Sequence, residues 1–269
     1  MRGWWREIAG LVLPVACGGC GRPRTELCAS CAAVLTGADA GPRRVRPSPE
    51  PAGLPVVHAV APYADAVREL LLAHKERGAL TLARPLGGAL ALAVQAAAGG
   101  GEGSSAAPLL LVPVPSSRRS VRARGHDPTR RIALAAAARL RSLGGRARVL
   151  PVLRQRRYVA DQAGLGARGR LANLTGALEV VPGGGRLLGA GRVVLVDDLM
   201  TTGASLAEAA RALGAVHRPF IPELPHGLPG GSAQRGFEQR VAAVIASSPA
   251  SFELNRNSSG TWIVAGGER

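Results

Sequence analysis

Two adjacent acids between an apolar run and a hydroxyl-rich loop are the residues of this chain best placed to do chemistry. Val193–Val196 predicts a buried strand, and Asp197 and Asp198 follow it directly. The loop Thr201–Ser205 then offers hydroxyls and backbone N–H groups ahead of the helical pattern Leu206–Leu213. Ligands of open α/β sheets lie beyond the carboxyl ends of the strands, and helix N-termini favour anions. The arrangement therefore suits a sugar phosphate.

The acid pair needs a partner, because two neighbouring carboxylates raise each other's pKa. Ribose hydroxyls, or a Mg²⁺ ion near them, would supply that partner. The residues expected to surround the phosphate are Thr201, Thr202, Gly203, Ala204 and Ser205. Gly203 would let the backbone approach the ligand closely. The alternative is a buried strand, a capped helix and two solvated acids, which leaves the acids beside Thr-Thr-Gly unexplained.

The cysteines of the chain form two Cys-x-x-Cys pairs, Cys17 with Cys20 and Cys28 with Cys31. Each pair can present two thiolates from one turn, and two such turns give the closed tetrahedral site typical of structural Zn²⁺. Two disulfides or redox pairs are the alternatives. Neither a strong secretion signal nor a thioredoxin-like unit supports them.

Composition points to anionic partners. The chain has 269 residues with 34 basic and 18 acidic side chains, a formal charge of +16. Phosphates, nucleic acid or a membrane surface would match this charge. Lys75 is the only lysine, and a compact ammonium at a tight phosphate site is not interchangeable with arginine. A chance survivor of arginine-biased codon usage is the equally weighted alternative.

The chain shows no run of eighteen apolar residues, so no integral membrane span is expected. The N-terminal run Ile8–Ala16 resembles a signal peptide only faintly, since Gly10 interrupts it. A cytoplasmic location is therefore expected. A lipidated surface protein with Cys17 modified is a minor alternative.

Alternating strands and helices predict an α/β fold with a largely parallel sheet flanked by helices. The predicted strands are 56–61, 109–115, 148–153, 178–181, 192–196 and 241–246. The predicted helices are 64–74, 80–97, 129–143 and 206–213. The predicted organisation is a zinc ribbon over 1–40, a Pro-rich linker over 41–55, an α/β domain over 56–250 with an irregular insertion at 219–240, and a polar tail over 251–269.

Several further motifs occur in a fixed order along the chain. They are the four-cysteine ribbon, Lys75–Gly78, Val112–Arg119, Arg122–Asp127, Gln162–Leu165, Arg170–Leu174 and the acid-pair loop. In this order they resemble the ComF family of double-zinc-ribbon phosphoribosyltransferase-like proteins, over about residues 15 to 213. The chain departs from the family where Arg-Gly-His126-Asp127 stands in place of the usual Arg-Gly-Phe-Asn. It also has Gly169 where the family tends to have an acid.

The resemblance implies a type I phosphoribosyltransferase-like domain that binds phosphoribosyl pyrophosphate (PRPP) with Mg²⁺. Phosphoribose would pass to an unidentified acceptor, with release of pyrophosphate. Asp197 and Asp198 would be the catalytic acids facing the ribose hydroxyls, and Thr201–Ser205 would hold the 5′-phosphate. Arg124 and Gly125 would belong to a pyrophosphate loop after the Val112–Pro115 strand. The residues implied to form a mobile hood over the substrate are Arg156, Gln162, Arg170 and Asn173.

The same resemblance implies a second possible function, a role in the uptake of transforming DNA. A non-enzymatic competence factor would bind single-stranded DNA or competence-machinery proteins, and its PRPP site would be structural or regulatory. The scarcity of aromatic residues, 3% of the chain, weighs against this alternative, because single-strand binding usually relies on base stacking.

Overall fold

The structure of the protein is a computed structural model that describes residues 15–38, 40–99, 107–157, 174–216 and 241–253. The strands are β1 (Arg43–Val45), β2 (Val56–Pro62), β3 (Leu109–Pro113), β4 (Ala147–Val149), β5 (Leu153–Gln155), β6 (Leu178–Val180), β7 (Arg192–Met200) and β8 (Val241–Ser247). The helices are α1 (Ala29–Leu35), α2 (Asp65–Glu76), α3 (Ala83–Ala97), α4 (Arg118–Arg124), α5 (Pro128–Ser142), α6 (Gly184–Leu188), α7 (Ala204–Val216) and α8 (Pro249–Glu253). A 3₁₀ turn, Leu80–Leu82, leads into α3.

Six strands form one mostly parallel sheet in the order β1-β2-β8-β7-β3-β4. Only the edge strand β1 runs antiparallel to its neighbour within this sheet. The buried strands are apolar on both faces, as expected where helices cover both sides of a parallel sheet. The predicted α/β fold with a parallel sheet flanked by helices is confirmed.

Successive residues of β7 point into two separate cores. Val194 and Val196 pack in the core that contains α3 and α5, whereas Leu195 packs in the core that contains α7. This alternation follows from the two-residue period of a strand. The sheet is therefore the middle of three layers, with α3 and α5 on one face and α7 on the other.

Close backbone approach compensates for the lack of aromatic side chains in the core. A side-chain carbon at Gly87 of α3 would overlap Ala135 of α5, so the glycine lets these two helices pack tightly.

The segment Leu80–Ala97 is long and apolar enough to span a membrane by length and composition, with a mean hydropathy of 1.3. Its packing against both the sheet and α5 accounts for this hydropathy, since 56% of the segment is buried inside the protein.

The structure corrects four sequence expectations. The predicted strand 148–153 is two strands in different sheets, because β4 joins the main sheet and β5 pairs antiparallel with β6. The predicted linker 41–55 contains β1, which pairs with β2. The predicted loop after β3 contains helix α4, and α8 begins in the last residues of the predicted domain and extends into the predicted tail. The expected insertion 219–240 lies outside the described residues.

Candidate functional site

The point where helices change sides lies between the adjacent parallel strands β3 and β7. The chain leaves β3 toward α4 and α5, and α5 packs on one face of the sheet. It leaves β7 toward α7, which packs on the other face. A crevice opens at the carboxyl ends of such strands, and it is the usual ligand site of open α/β sheets.

A cleft of about 1420 Å³ lies at this position. Its basic lining residues are Lys75, Arg77, Arg119, Arg124, Arg154, Arg156 and Arg157. Its acidic lining residues are Glu76 and Glu179, and its serines are Ser116, Ser117, Ser120 and Ser205. A concave surface with this excess of cations and hydroxyl donors concentrates a positive potential, which suits a ligand with several negative charges.

Lys75, which lines the cleft, forms an ion pair with Asp198, which does not line it. Lys75 Nζ donates to Asp198 Oδ2 at 2.8 Å, from the last turn of α2 to β7. The Asp198 side chain is 7% exposed and the Lys75 side chain 32% exposed. Burial lowers the pKa of Lys75, but the carboxylates of Asp198 and Asp197 raise it more, so the ammonium keeps its charge.

The acids lie inside β7, not after it as the sequence predicted. β7 continues to Met200 by pairing with β8, whereas its pairing with β3 ends at Val196. Asp197 accepts hydrogen bonds from the Asp198 backbone N–H at 2.8 Å and from Thr129 Oγ1 at 3.5 Å. Burial and the neighbouring Asp198 carboxylate raise the pKa of Asp197 well above its ordinary value, although Lys75 opposes this shift.

Arg124 is the last residue of α4, and Gly125 ends that helix in a left-handed conformation with φ 74°. The Arg124 guanidinium forms a two-point contact with Glu76 at the end of α2. Its Nε donates to Oε2 at 2.9 Å and its Nη2 to Oε1 at 2.7 Å. The last two residues of α2 therefore contact β7 through Lys75 and α4 through Glu76.

The loop expected to hold a phosphate divides between two environments. Ser205 lines the cleft, and Thr201 is exposed. Gly203 has φ 76°, and the position its Cβ would take lies 2.9 Å from Leu54 Cδ1 and 3.4 Å from Pro47 Cγ. The close approach that Gly203 allows in this structure is therefore to the proline-rich segment before β2.

Two residues that depart from the family pattern have structural explanations. Asp127 caps α5, since its Oδ1 accepts from the Arg130 backbone N–H at 3.1 Å, and Pro128 follows in the first turn. The His126 ring packs edge-on against the buried His74 ring, with centroids 5.7 Å apart. His126 also lines the cleft.

One wall of the cleft comes from β5 and β6. Strand β5 carries Arg154, the chain after it carries Arg156 and Arg157, and β6 contributes Leu178 and Glu179. Buried Glu208 of α7 accepts from the Leu178 backbone N–H at 2.9 Å, and Arg211 donates to the Leu178 carbonyl at 2.9 Å. This clamp holds β6 against α7. Arg156 of the expected hood lies in the cleft wall. The other expected hood residues, Gln162, Arg170 and Asn173, lie outside the described residues.

The four cysteines come together as predicted. Their Sγ atoms all lie within 4.8 Å of one another, and Cys20 Sγ is 3.7 Å from Cys28 Sγ. A tetrahedral Zn²⁺ with Zn–S bonds of about 2.3 Å places its sulfurs about 3.8 Å apart. Cys28 also caps α1, and all four cysteines are free of disulfides.

The electrostatics of the cluster favour a cation. Burial raises the pKa of Cys17, but backbone N–H donors from Cys28, Cys20 and Gly19 outweigh it and lower the pKa to about 6. Burial and the neighbouring thiols raise the pKa of Cys31 well above its ordinary value. Thiolates held this close together repel one another. A divalent cation at the centre would offset their negative charge and keep the coordinating thiols deprotonated. The donor set therefore fits a structural Zn²⁺.

Some of the expected binding residues line the cleft and others do not. Lys75, Arg124 and Ser205 line it, and Asp198 lies behind Lys75. The sequence analysis gave no binding role to the cleft-lining Glu76, Ser117 and Arg154, and it did not predict the Glu208–Arg211 clamp. The signals were an acid next to the only lysine, and an acid three residues before an arginine in an alanine-rich helix.

No family model matches this chain, and a comparison with curated proteins found no match. The fold and the cysteine cluster define its class. It is an α/β protein with a mostly parallel six-stranded sheet and an N-terminal four-cysteine cluster.

Proposed function

We propose that the protein is a cytoplasmic, ComF-like phosphoribosyltransferase that binds PRPP together with Mg²⁺ and transfers phosphoribose to an acceptor nucleophile. The observation that carries this proposal is the basic cleft at the carboxyl ends of β3 and β7. It gathers Lys75, Arg124 and Ser205, which lie in three different sequence motifs. A sugar with a monophosphate at one end and a pyrophosphate at the other matches this concentration of cations.

In the proposed reaction, the bond from ribose C1 to the pyrophosphate oxygen breaks, and pyrophosphate leaves with the electron pair. The acceptor nucleophile then forms the new bond to C1. Positive charge develops on the sugar, and the Asp197 and Asp198 carboxylates beneath the cleft would stabilise it. Arg124 and the other cleft arginines would stabilise the leaving pyrophosphate. Ser205 and the first N–H groups of α7 would bind the 5′-phosphate.

Mg²⁺ would arrive with the ligand in this proposal. Among the described residues, the cysteine cluster is the only group of three or more side chains arranged to hold a metal ion. One carboxylate oxygen of Asp198 is already bonded to Lys75. Phosphate oxygens and water are ligands that Mg²⁺ prefers, so the pyrophosphate would supply most of its coordination. When bound, the ion would neutralise charge on the leaving group.

The test is a calorimetric titration with PRPP, with and without Mg²⁺, of the native chain and of the double variant Asp197→Asn with Asp198→Asn. We expect Mg²⁺-dependent micromolar binding by the native chain and no measurable binding by the variant. Glu50→Gln is the control for loss of an acid, since Glu50 pairs with Arg46 outside the cleft. Circular dichroism would verify that each variant is folded. Undiminished PRPP affinity in the double variant would contradict the site assignment.

A second candidate function, binding of single-stranded DNA in competence, is favoured by the formal charge of +16 and the basic cleft. Its partners would then be DNA and proteins of the uptake machinery. A DNA complex held by phosphate contacts weakens steeply as salt increases. Titration with single-stranded DNA at several salt concentrations tests this alternative, and the absence of salt-dependent affinity would rule it out.

A further inference from the structure

The acid at the end of α2 is not explained by its local surroundings. Glu76 is the last residue of α2, where the negative end of the helix dipole makes an acid unfavourable. The basic residue that follows it, Arg77, pairs with Glu69 at 3.2 Å. Glu76 instead contacts Arg124, which lies 48 positions away in sequence.

The contact between Glu76 and Arg124 uses one specific edge of the guanidinium. A guanidinium has five N–H donors arranged in a rigid plane. Glu76 takes one donor on Nε and one on Nη2, which leaves both donors of Nη1 and the second donor of Nη2. These remaining donors form the outer edge of the plane, the edge that can bind a phosphate group at two points.

The position of this pair matches a ligand site. Both residues line the cleft, next to Ser117 and Ser120. The Arg124 side chain is 23% exposed and Glu76 45% exposed, so the arginine is held in the wall while the acid lies nearer to solvent. The rest of the cleft is strongly basic, which makes an acid here costly for anion binding unless it orients a cation.

We infer that Glu76 is a positioning residue that fixes the Arg124 guanidinium so that its outer edge binds the pyrophosphate end of the ligand. This inference rests on the proposed function. Lys75 and Glu76 would then have complementary roles. One places a cation beside the acids of β7, and the other orients the cation of α4.

The direction in which pyrophosphate affinity changes when Glu76 is replaced distinguishes a positioning role from a purely electrostatic effect of its charge. Removing an acid from a basic cleft should strengthen anion binding if Glu76 acts only through its charge. If Glu76 orients Arg124, Glu76→Ala should instead weaken inorganic pyrophosphate binding in the presence of Mg²⁺, by about tenfold. Glu76→Gln keeps one acceptor for the guanidinium and should show a smaller loss. The matched control Glu50→Gln should bind pyrophosphate like the native chain.

A double-mutant cycle tests whether the effect passes through Arg124. Glu76→Ala should cause no further loss in an Arg124→Ala background, because no guanidinium remains to be oriented. Equal or tighter pyrophosphate binding by Glu76→Ala, or the same loss in both backgrounds, would overturn the inference while leaving the proposed function intact. A native chain that binds neither PRPP nor pyrophosphate would overturn both.

Discussion

Replacing Lys75 with methionine removes the ammonium that contacts Asp198 and keeps most of the apolar stem. The Asp198 side chain, 7% exposed, would then lose this partner. At the observed 2.8 Å, the attraction between unit charges is about 6 kcal/mol at an effective dielectric constant of about 20. Desolvation of both groups offsets much of it. Breaking a fully buried pair costs about 3–5 kcal/mol. Lys75 is 32% exposed, so we expect about 2 kcal/mol of destabilisation.

Urea denaturation of four variants measures this cost: Lys75→Met, Asp198→Asn, their combination, and the control Arg46→Met. Lys75→Met should lower the free energy of unfolding by about 2 kcal/mol, and adding Asp198→Asn should restore more than half of the loss. Arg46→Met is the matched control. It breaks a pair whose side chains are 54% and 40% exposed, and it should cost less than about 1 kcal/mol. Additive effects of the Lys75 and Asp198 substitutions would refute the reasoning.

The same variant should show a characteristic pH dependence. The pKa of Asp197 is raised in the folded state and Lys75 opposes that rise, so Lys75→Met should raise it further. A raised folded-state pKa means that the folded protein binds more protons, and stability falls as pH rises from the ordinary aspartate value through the folded value. The loss caused by Lys75→Met should therefore be larger at pH 8 than at pH 5. A loss that is independent of pH would contradict this account.

Two further predictions concern the core. Burial lowers the pKa of His74, so the unfolded chain binds more protons below about pH 6.5 and stability should fall as the pH drops below that value. His74→Gln should reduce this slope, as measured by urea midpoints at pH 5.5 and 7.5, and an unchanged slope would assign it to other groups. Gly87→Ala should destabilise the protein by about 1–3 kcal/mol, because the added carbon overlaps Ala135. Gly88→Ala, whose Cβ would meet open space, should stabilise the protein by up to about 1 kcal/mol in the same thermal unfolding assay.

The sequence predicted features that depend on local pattern. The apolar runs of β2, β3 and β8 and the helical spacing of Ala and Leu in α5 are local signals, and the structure places these elements within a few residues of their predicted bounds. The two Cys-x-x-Cys pairs likewise predicted the sulfur cluster. Features that depend on pairing were missed. Nothing in Leu153–Gln155 indicates that it leaves the main sheet to pair with Leu178–Val180.

In the candidate site, too, residues within local motifs were predicted and contacts between distant residues were not. Lys75, Arg124 and Ser205 were identified from motifs, and the structure brings them to one cleft. The partners that orient them were not predictable, because Lys75–Asp198 and Glu76–Arg124 join residues 123 and 48 positions apart. Such pairs depend on the packing of α2 against the sheet. The assignment of Asp197 and Asp198 to a bound sugar stays a prediction.

The packing of the first cysteine turn has a thermodynamic consequence. A side-chain carbon at Gly18 would lie 3.5 Å from both Leu70 and Ala73, and one at Gly19 would lie 3.3 Å from Ala66. The turn therefore packs closely against α2, the helix whose last turn carries Lys75 and Glu76. These neighbours of the cysteine turn extend along α2 from Ala66 to Ala73, and Ala73 lies only about 3 Å along the helix axis from Lys75. If binding of pyrophosphate in the cleft and of zinc by the cysteines were coupled through α2, linkage would make the coupling reciprocal. Pyrophosphate would then change the affinity of the cysteines for zinc by the same factor by which zinc changes the affinity for pyrophosphate.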